Sequence, residues 1–274
     1  MLNEFREWLI KKGKSNNTVK TYIGVLESFN DWLKRSEPSL KELKSNHIQA
    51  YIDYLEEKQL SVGTIEKAFA VISVFTKFLE KPQLMVNVHR KVVSKTEEIP
   101  ESLNPYEKIN LLRQIELDGN LRNSVIVYTL LQTGIRVSEL CYLNCSDVDL
   151  SDEKGNLTVR KENGEIDRII PISRDLRQQF KSYFTAEKGK TENDPLFLSS
   201  LKSRMTTRSV QYMLQKYHVH PHKLRHTFCQ ELINHGVDIR TVAKLAGHRD
   251  INVTRRYTKN FEADLETAIN QTFA

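Results

Sequence analysis

NLTVRKENGEIDRIIPI, from Asn156 to Ile172, alternates apolar and polar residues, turns at Asn163-Gly164 and alternates again. Alternation with period two places successive side chains on opposite faces of a strand. An Asn-Gly pair between two such runs is the strongest short hairpin signal a sequence carries. The stretch therefore predicts a β-hairpin, with Lys161 ending its first strand. A lysine beside a turn is ordinarily a solvated tip, and Arg160 next to it is equally basic.

On both sides of the hairpin the period becomes helical. Upstream, PYEKINLLRQIE and LRNSVIVYTLLQTG read as helices, the second stopped by Gly134, and IRVSELCYLN starts another. Downstream, RDLRQQFKSYF, TTRSVQYMLQKY, PHKLRHTFCQELINH and DIRTVAKLAG obey the same rule. The last segment, NFEADLETAINQTFA, spaces Phe261, Leu265, Ile269 and Phe273 four apart, one apolar stripe that needs a partner surface.

The first 80 residues are helical in pattern too. Val19, Tyr22, Ile23, Leu26, Phe29 and Leu33 recur at helical spacing, with Asn16 or Asn17 as the cap. With LNEFREWLIKK, HIQAYIDYLEEK and TIEKAFAVISVFTKFLEK, the last ended by Pro82, this predicts a four-helix bundle. QLMVNVHRKVVSKTEEIPES, residues 83–102, loses the period and reads as a linker, since structureless loops of this length are uncommon inside a compact domain. The expected fold class is mainly α with a small β-hairpin or sheet, in two domains: a helical domain over 1–82, a linker over 83–102 and a second domain over 103–274.

Length and charge bound the function. The 274 residues suit two domains, and no segment approaches a membrane span. The opening MLNEFREWLIKKGK carries acids early and lacks a signal-peptide layout. Three cysteines, Cys141, Cys145 and Cys229, cannot all pair with one another, which points to a reducing, cytoplasmic setting. A net charge of +6 suggests polyanionic partners. Residues 1–95 hold 16 Lys and Arg against 11 Asp and Glu, so most of the excess sits in the first third.

Four clusters carry candidate chemistry. In HPHKLRHTF, His222 and Arg225 are three apart and share a helix face. His222 and His226 have a metal-ligand spacing, but Lys-Leu-Arg lies between them, and a cation beside a metal is unfavourable. In TGIRVSEL, Arg136 opens a helix at an end that favours acids. A bound anion would reverse that preference. Glu139, one turn on, is placed to pin its guanidinium. The third cluster is the basic hairpin. The fourth is LAGHRDINVTRRYTK, Leu245 to Lys259, in which Tyr257 comes directly after Arg255 and Arg256 and lies nine residues after His248. A phenol among cations is either a surface tyrosine or a nucleophile facing an anion they hold.

Taken in chain order, TGIRVSEL, the basic hairpin, HKLRHTF and LAGHRDINVTRRYT together resemble the tyrosine recombinase, or phage-integrase, family, most closely its Xer-like members and transposon-encoded resolvases. The resemblance spans essentially the whole chain. It implies an N-terminal core-binding domain and a C-terminal catalytic domain. It also implies the site set: Arg136 and Arg225 clamping the scissile phosphate, His222 completing that clamp and assisting proton transfer, His248 hydrogen-bonding a phosphate oxygen, Tyr257 as nucleophile and Lys161 as acid for the departing 5′ oxygen. The family's usual Gly-Lys-Gly hairpin is absent, and the turn reads Lys-Glu-Asn-Gly-Glu.

The activity this resemblance implies is site-specific DNA recombination. The strand is cut through a 3′-phosphotyrosyl link and passes through a Holliday junction, with no cofactor, metal or ATP. The roles it implies are integration, cointegrate resolution or dimer resolution. The partners would be double-stranded DNA sites in the prokaryotic nucleoid and three further copies, joined through the C-terminal helix into a tetramer, with accessory proteins in addition. Type IB topoisomerase-like relaxation of DNA is the alternative that shares these residues.

Overall fold

A computed structural model describes residues 1–34, 40–91, 100–151 and 153–258. It divides into two compact units, Met1–Lys95 and Thr96–Ala274. Both unit cores are built mainly of helices.

In the first unit, helices α1 (Leu2–Lys11), α2 (Asn16–Leu33), α3 (Ser45–Glu57) and α4 (Val62–Phe78) match the helices read from the sequence. Of the periodic apolar positions of α2, Val19, Ile23, Leu26, Phe29 and Leu33 are buried and Tyr22 is half-buried. The cap is Ser15, not Asn16 or Asn17: its hydroxyl accepts from the Thr18 amide at 3.2 Å. A serine oxygen three residues ahead of the donating amide satisfies an otherwise orphaned donor. Helix α4 stops at Phe78, before Pro82, and Glu80 takes a left-handed φ of 59°. The core is aromatic. Phe5 meets Phe75 edge-on at 5.2 Å, and Phe29 lies 4.6 Å from Tyr51. The chain stays on this unit past Pro82: Val88 is buried in its core, the His89 amide donates to Gln49 at 2.7 Å, and Arg90 lies over the Phe69 ring and pairs with Glu66.

In the second unit, α5 (Pro105–Leu117), α6 (Leu121–Thr133) and α7 (Val137–Tyr142) lead into a three-stranded antiparallel sheet. Its strands are β1 (Val148–Leu150), β2 (Gly155–Arg160) and β3 (Ile166–Pro171), followed by α8 (Arg174–Ala186), α9 (Thr207–Gln215), α10 (Pro221–Asn234), α11 (Ile239–Ala246) and α12 (Ile251–Arg255). The hairpin turn is longer than a two-residue Asn-Gly turn. Lys161 N–H donates to the Glu165 carbonyl at 2.8 Å, leaving three residues between them with Gly164 at φ 85°. A glycine in the left-handed region is what a three-residue hairpin loop requires.

Helix α6 is buried on nearly every side, with Val125, Ile126, Val127, Leu130 and Leu131 all inside. It therefore serves as the axis against which α8 and α10 pack. Fully burying one such side chain contributes about 1.5–3 kcal/mol, so the placement of α10 on α6 is strongly determined. The apolar C-terminal stripe of Phe261, Leu265, Ile269 and Phe273 lies outside the described residues. Among the described residues no helix is long and apolar enough to cross a membrane, and the three cysteines are unpaired.

Candidate active site

The site grows from the two glycines that end α6 and α11. Gly134 closes α6 at φ 61°, and Gly247 closes α11 at φ 69°. Both are left-handed C-terminal positions, where glycine carries no Cβ penalty. Each glycine also presents its carbonyl to an arginine. Arg225, on the buried side of α10, donates to the Gly134 carbonyl. Arg136, directly before α7, donates to the Gly247 carbonyl at 2.6 Å. The first arginine block is thus tied to the loop that carries His248.

Glu139 organises Arg136 from one turn along. Its carboxylate accepts the Arg136 amide at 2.7 Å and the Arg136 guanidinium at 2.8 Å. The same carboxylate accepts from Arg168 of β3 at 2.8 and 3.1 Å. Burial opposes ionisation of Glu139. Hydrogen bonds and charge from Arg168, then Arg136, outweigh it and hold the carboxyl below its usual range. Arg168 also donates through Nε to the Leu245 carbonyl at 2.8 Å. Arg168 is only 8% exposed and its guanidinium packs onto Gly247, where an added Cβ would come within 2.6 Å.

His248 sits between α11 and α12, its ring held by a hydrogen bond between Nδ1 and Thr254 Oγ1 at 2.7 Å. Burial, then the charges of Arg225 and Arg136, lower its pKa to about 4, so it is a neutral imidazole at pH 7. Tyr257 is 1% exposed, and its phenol oxygen lies 2.5 Å from Nδ1 of His226. Burial, then Cys229, push this phenol far above its ordinary pKa, against the opposing charges of Arg225 and Arg256.

Five of the six candidate residues therefore converge. The charge of Arg136 acts on Arg225 and His248, and that of Arg225 acts on His248, His222 and Tyr257. His222 is exposed in the first turn of α10, its ring 6.3 Å from that of His226. Lys161 stands apart at the hairpin tip, half-exposed and paired with Glu165 at 3.1 Å. A cluster of guanidinium and neutral imidazole donors, with the nearby Glu139 carboxylate already paired to Arg136 and Arg168, is built to receive an anion with several oxygens.

Residues 103–264 match the phage integrase family, and residues 1–84 match the phage integrase N-terminal SAM-like domain. The chain belongs to the phage integrase family. Tyrosine recombinase XerA of Pyrococcus furiosus is 31% identical over 281 residues, covering 99% of this chain and 93% of that protein. Tyrosine recombinase XerC of Staphylococcus saprophyticus is 30% identical over 264 residues, covering 91% and 88%. The fold is also that of the XerH site-specific recombinase in its post-cleavage complex with palindromic difH substrate. There the TM-score is 0.73 at 20% identity, over 92% of this chain and 79% of that one. This phage integrase family member is a tyrosine site-specific recombinase.

Three side chains packed around these residues have no place in the sequence reading of the site: Arg168, Thr254 and His226, the last weighed there only as a metal ligand. One has a readable signal. Arg168 shares a strand face with Ile170 and Ile172, and a charge on an apolar face calls for a buried partner. The others depend on contacts the sequence does not display.

Proposed function

We propose that this recombinase cuts and rejoins specific DNA duplexes through a 3′-phosphotyrosyl intermediate on Tyr257, passing through a Holliday junction without metal or ATP. The observation that carries the reading is the joining of the three motif blocks. Arg136 binds the carbonyl before His248, Arg225 binds the carbonyl two residues before Arg136, and Tyr257 is held against the helix that bears Arg225.

In-line attack on a phosphodiester gathers negative charge on the nonbridging oxygens. Arg136 and Arg225 meet that charge where it develops, with His222 and His248 donating beside them. Preorganised donors of this kind are the largest catalytic contribution in most enzymes. Tyr257 attacks phosphorus, the 5′ oxygen departs, and Lys161 on the hairpin gives that oxygen its proton. The phosphotyrosine conserves the bond energy for a new 5′ hydroxyl, so exchange needs no external energy source. Four copies assemble on two sites, the C-terminal apolar stripe of one docking on the next. The role is integration, cointegrate resolution or dimer resolution, with accessory proteins as further partners.

Incubating the full chain with a nicked duplex of its site in EDTA tests this. An SDS-resistant adduct is expected, and Tyr257→Phe should bind the duplex without forming it. Adduct formation that depends on added magnesium would contradict the reading.

A further inference from the structure

Lys161 stands outside the cluster around Tyr257, so its place has to be fixed from elsewhere. A leaving-group acid must reach one particular oxygen, and a misplacement of about 1 Å can cost roughly 100-fold in rate. A bulge sets the hairpin tip off from the rest of the sheet. Val159 pairs with Arg168 but Arg160 pairs with Ile166, leaving Asp167 as an extra residue on β3. A bulge bends and twists the strand that carries it, so the sheet alone does not aim the tip. The contacts of Lys161 are local. Its amide donates to the Glu165 carbonyl, its carbonyl accepts from Gly164, and its ammonium pairs with Glu165 at 3.1 Å. These contacts shape the loop without tying it to the body of the unit.

We propose that Arg160 is a positioning residue for strand cleavage, bracing the hairpin tip so that Lys161 meets the departing 5′ oxygen; this rests on Lys161 being the acid for that oxygen. The Arg160 guanidinium spans two parts of the fold. Its Nε donates to Asp147 Oδ1 at 2.7 Å, and its Nη1 donates to the Gly164 carbonyl at 3.3 Å, inside the loop that Lys161 opens. Asp147 is only 2% exposed and is itself fixed. Its other carboxylate oxygen accepts the Asn144 amide at 2.9 Å, and its own amide donates to the Asn144 carbonyl at 3.1 Å. The Asn144 side chain accepts from Arg204 at 2.6 Å. Arg204 also donates to the Cys141 and Leu143 carbonyls, at the end of α7. Arg136 stands at the other end of that helix, which is six residues long. One short helix therefore links the phosphate clamp to the anchor of the acid.

The brace falls on the backbone of the tip and not on the lysine, and the chemistry explains why. An exposed ion pair such as Lys161–Glu165 contributes little, so the ammonium leaves Glu165 readily for an oxygen of the substrate. A flexible side chain of this kind needs a fixed root. Arg160 supplies no proton. As the P–O5′ bond breaks, its electron pair goes to O5′, and that oxygen takes its proton from Lys161 Nζ. A planar guanidinium holds two acceptors in a fixed geometry, whereas an ammonium is a point charge. Where the family's usual hairpin reads Gly-Lys-Gly, this one reads Arg160-Lys161-Glu162, and a glycine has no side chain to make such a brace.

The test uses full-length protein and a nicked suicide duplex whose site is recovered by selecting a randomised duplex pool on the Tyr257→Phe protein. The duplex is made in two forms, with oxygen or with sulfur at the scissile 5′ bridging position. A thiol has a pKa of about 8.5, far below that of an alcohol, so a departing thiolate needs no acid. Arg160→Lys keeps the charge but cannot span both acceptors. Asp147→Asn keeps the shape of the brace and removes its charge. Both variants are expected to bind the duplex as tightly as the parent. At saturating protein each should cleave the oxygen form at least about 30-fold more slowly than the parent, and the sulfur form within about threefold of it. Lys161→Ala should show the same pattern.

Cleavage of the oxygen form by either brace variant within about threefold of the parent rate, with Lys161→Ala slow, would overturn the proposal and leave the acid assignment standing. So would a slow brace variant that sulfur does not restore, which marks a role in the fold or in holding DNA. If Arg160→Lys does not fold, Asp147→Asn decides. Lys161→Ala keeping the parent rate, or staying slow on sulfur, would instead remove the acid assignment on which the brace depends.

Discussion

Arg168 grips both carboxylate oxygens of Glu139, at 2.8 and 3.1 Å, from a strand 29 residues further along the chain. Its Nε reaches the Leu245 carbonyl in the same pose. One buried guanidinium thus fastens the start of α7 to the end of α11, the two places from which Arg136 and His248 project. Arg168 is a positioning residue: it holds the carboxylate that holds Arg136.

Removing that guanidinium leaves Glu139 half-paired and buried. Breaking a buried pair by deleting one partner costs roughly 3–5 kcal/mol, so Arg168→Ala should destabilise the second unit by that order. Both tryptophans, Trp8 and Trp32, lie in the first unit. Urea unfolding monitored by circular dichroism should therefore shift to lower concentration while the tryptophan fluorescence transition stays in place. Coincident shifts in both signals would show that the bridge is not confined to the second unit.

Gly134 makes two demands at once. Alanine there would keep an unfavourable φ of 61° and would put its Cβ 2.2 Å from Cδ1 of Phe228, a buried ring on α10. Gly164, at φ 85°, has open space around the same position. Gly164→Ala should cost about 1–2 kcal/mol, the left-handed penalty alone. Gly134→Ala should cost at least about 2 kcal/mol more, in the range for overpacking a core. Equal melting temperatures for the two variants would remove the close packing of α6 on α10 from the account.

Thr254→Val tests the orientation of His248. Thr254 is fully buried, and its hydroxyl is the partner of His248 Nδ1. Valine fills the same volume but leaves that nitrogen unpaired, at a cost of about 1–3 kcal/mol. Adduct formation should slow by about tenfold, the effect of about 1.4 kcal/mol lost at the transition state, with duplex affinity unchanged. An unaltered cleavage rate would mean that His248 does not need this contact.

The legibility of the fold in its sequence depends on the range of the forces involved. The helices of both units show through periodicity, and the hairpin through its alternation and Asn-Gly turn, because these signals are local. Strand β1, three residues long, and α12, five residues long, are too short to show a period. Arg136, His222, Arg225, His248 and Tyr257 are readable as blocks of a family resemblance. What holds them is not. The Gly134 and Gly247 carbonyls become arginine acceptors only once α6 and α11 end in left-handed turns and the sheet is folded against them. The sequence sets His226 beside His222 at a metal-ligand spacing, yet its partner is a phenol 31 residues away.

Acid should weaken the second unit through its histidines. The pKa values of His226 and His248 are lowered to about 4 in the folded protein, by burial first and by neighbouring cations second. The unfolded chain binds those protons near pH 6.5. Their contribution is therefore complete above about pH 6.5 and is lost progressively as pH falls toward 4. Near pH 5 each histidine should lower stability by about 1.4 kcal/mol per pH unit. Denaturation at pH 7, 6 and 5 should show this slope, and His226→Asn should halve it. A stability profile flat from pH 7 to 5 would place both rings in water.

The most direct measurement locates the covalent bond. Protein trapped on a nicked suicide duplex is digested with nuclease and with a protease that cuts after lysine, and the modified peptide is sequenced by mass spectrometry. The peptide Leu245–Lys259 contains Tyr257 as its sole tyrosine. A 3′-linked nucleotide remnant on that residue is the expected result; the remnant on any other side chain would contradict the account.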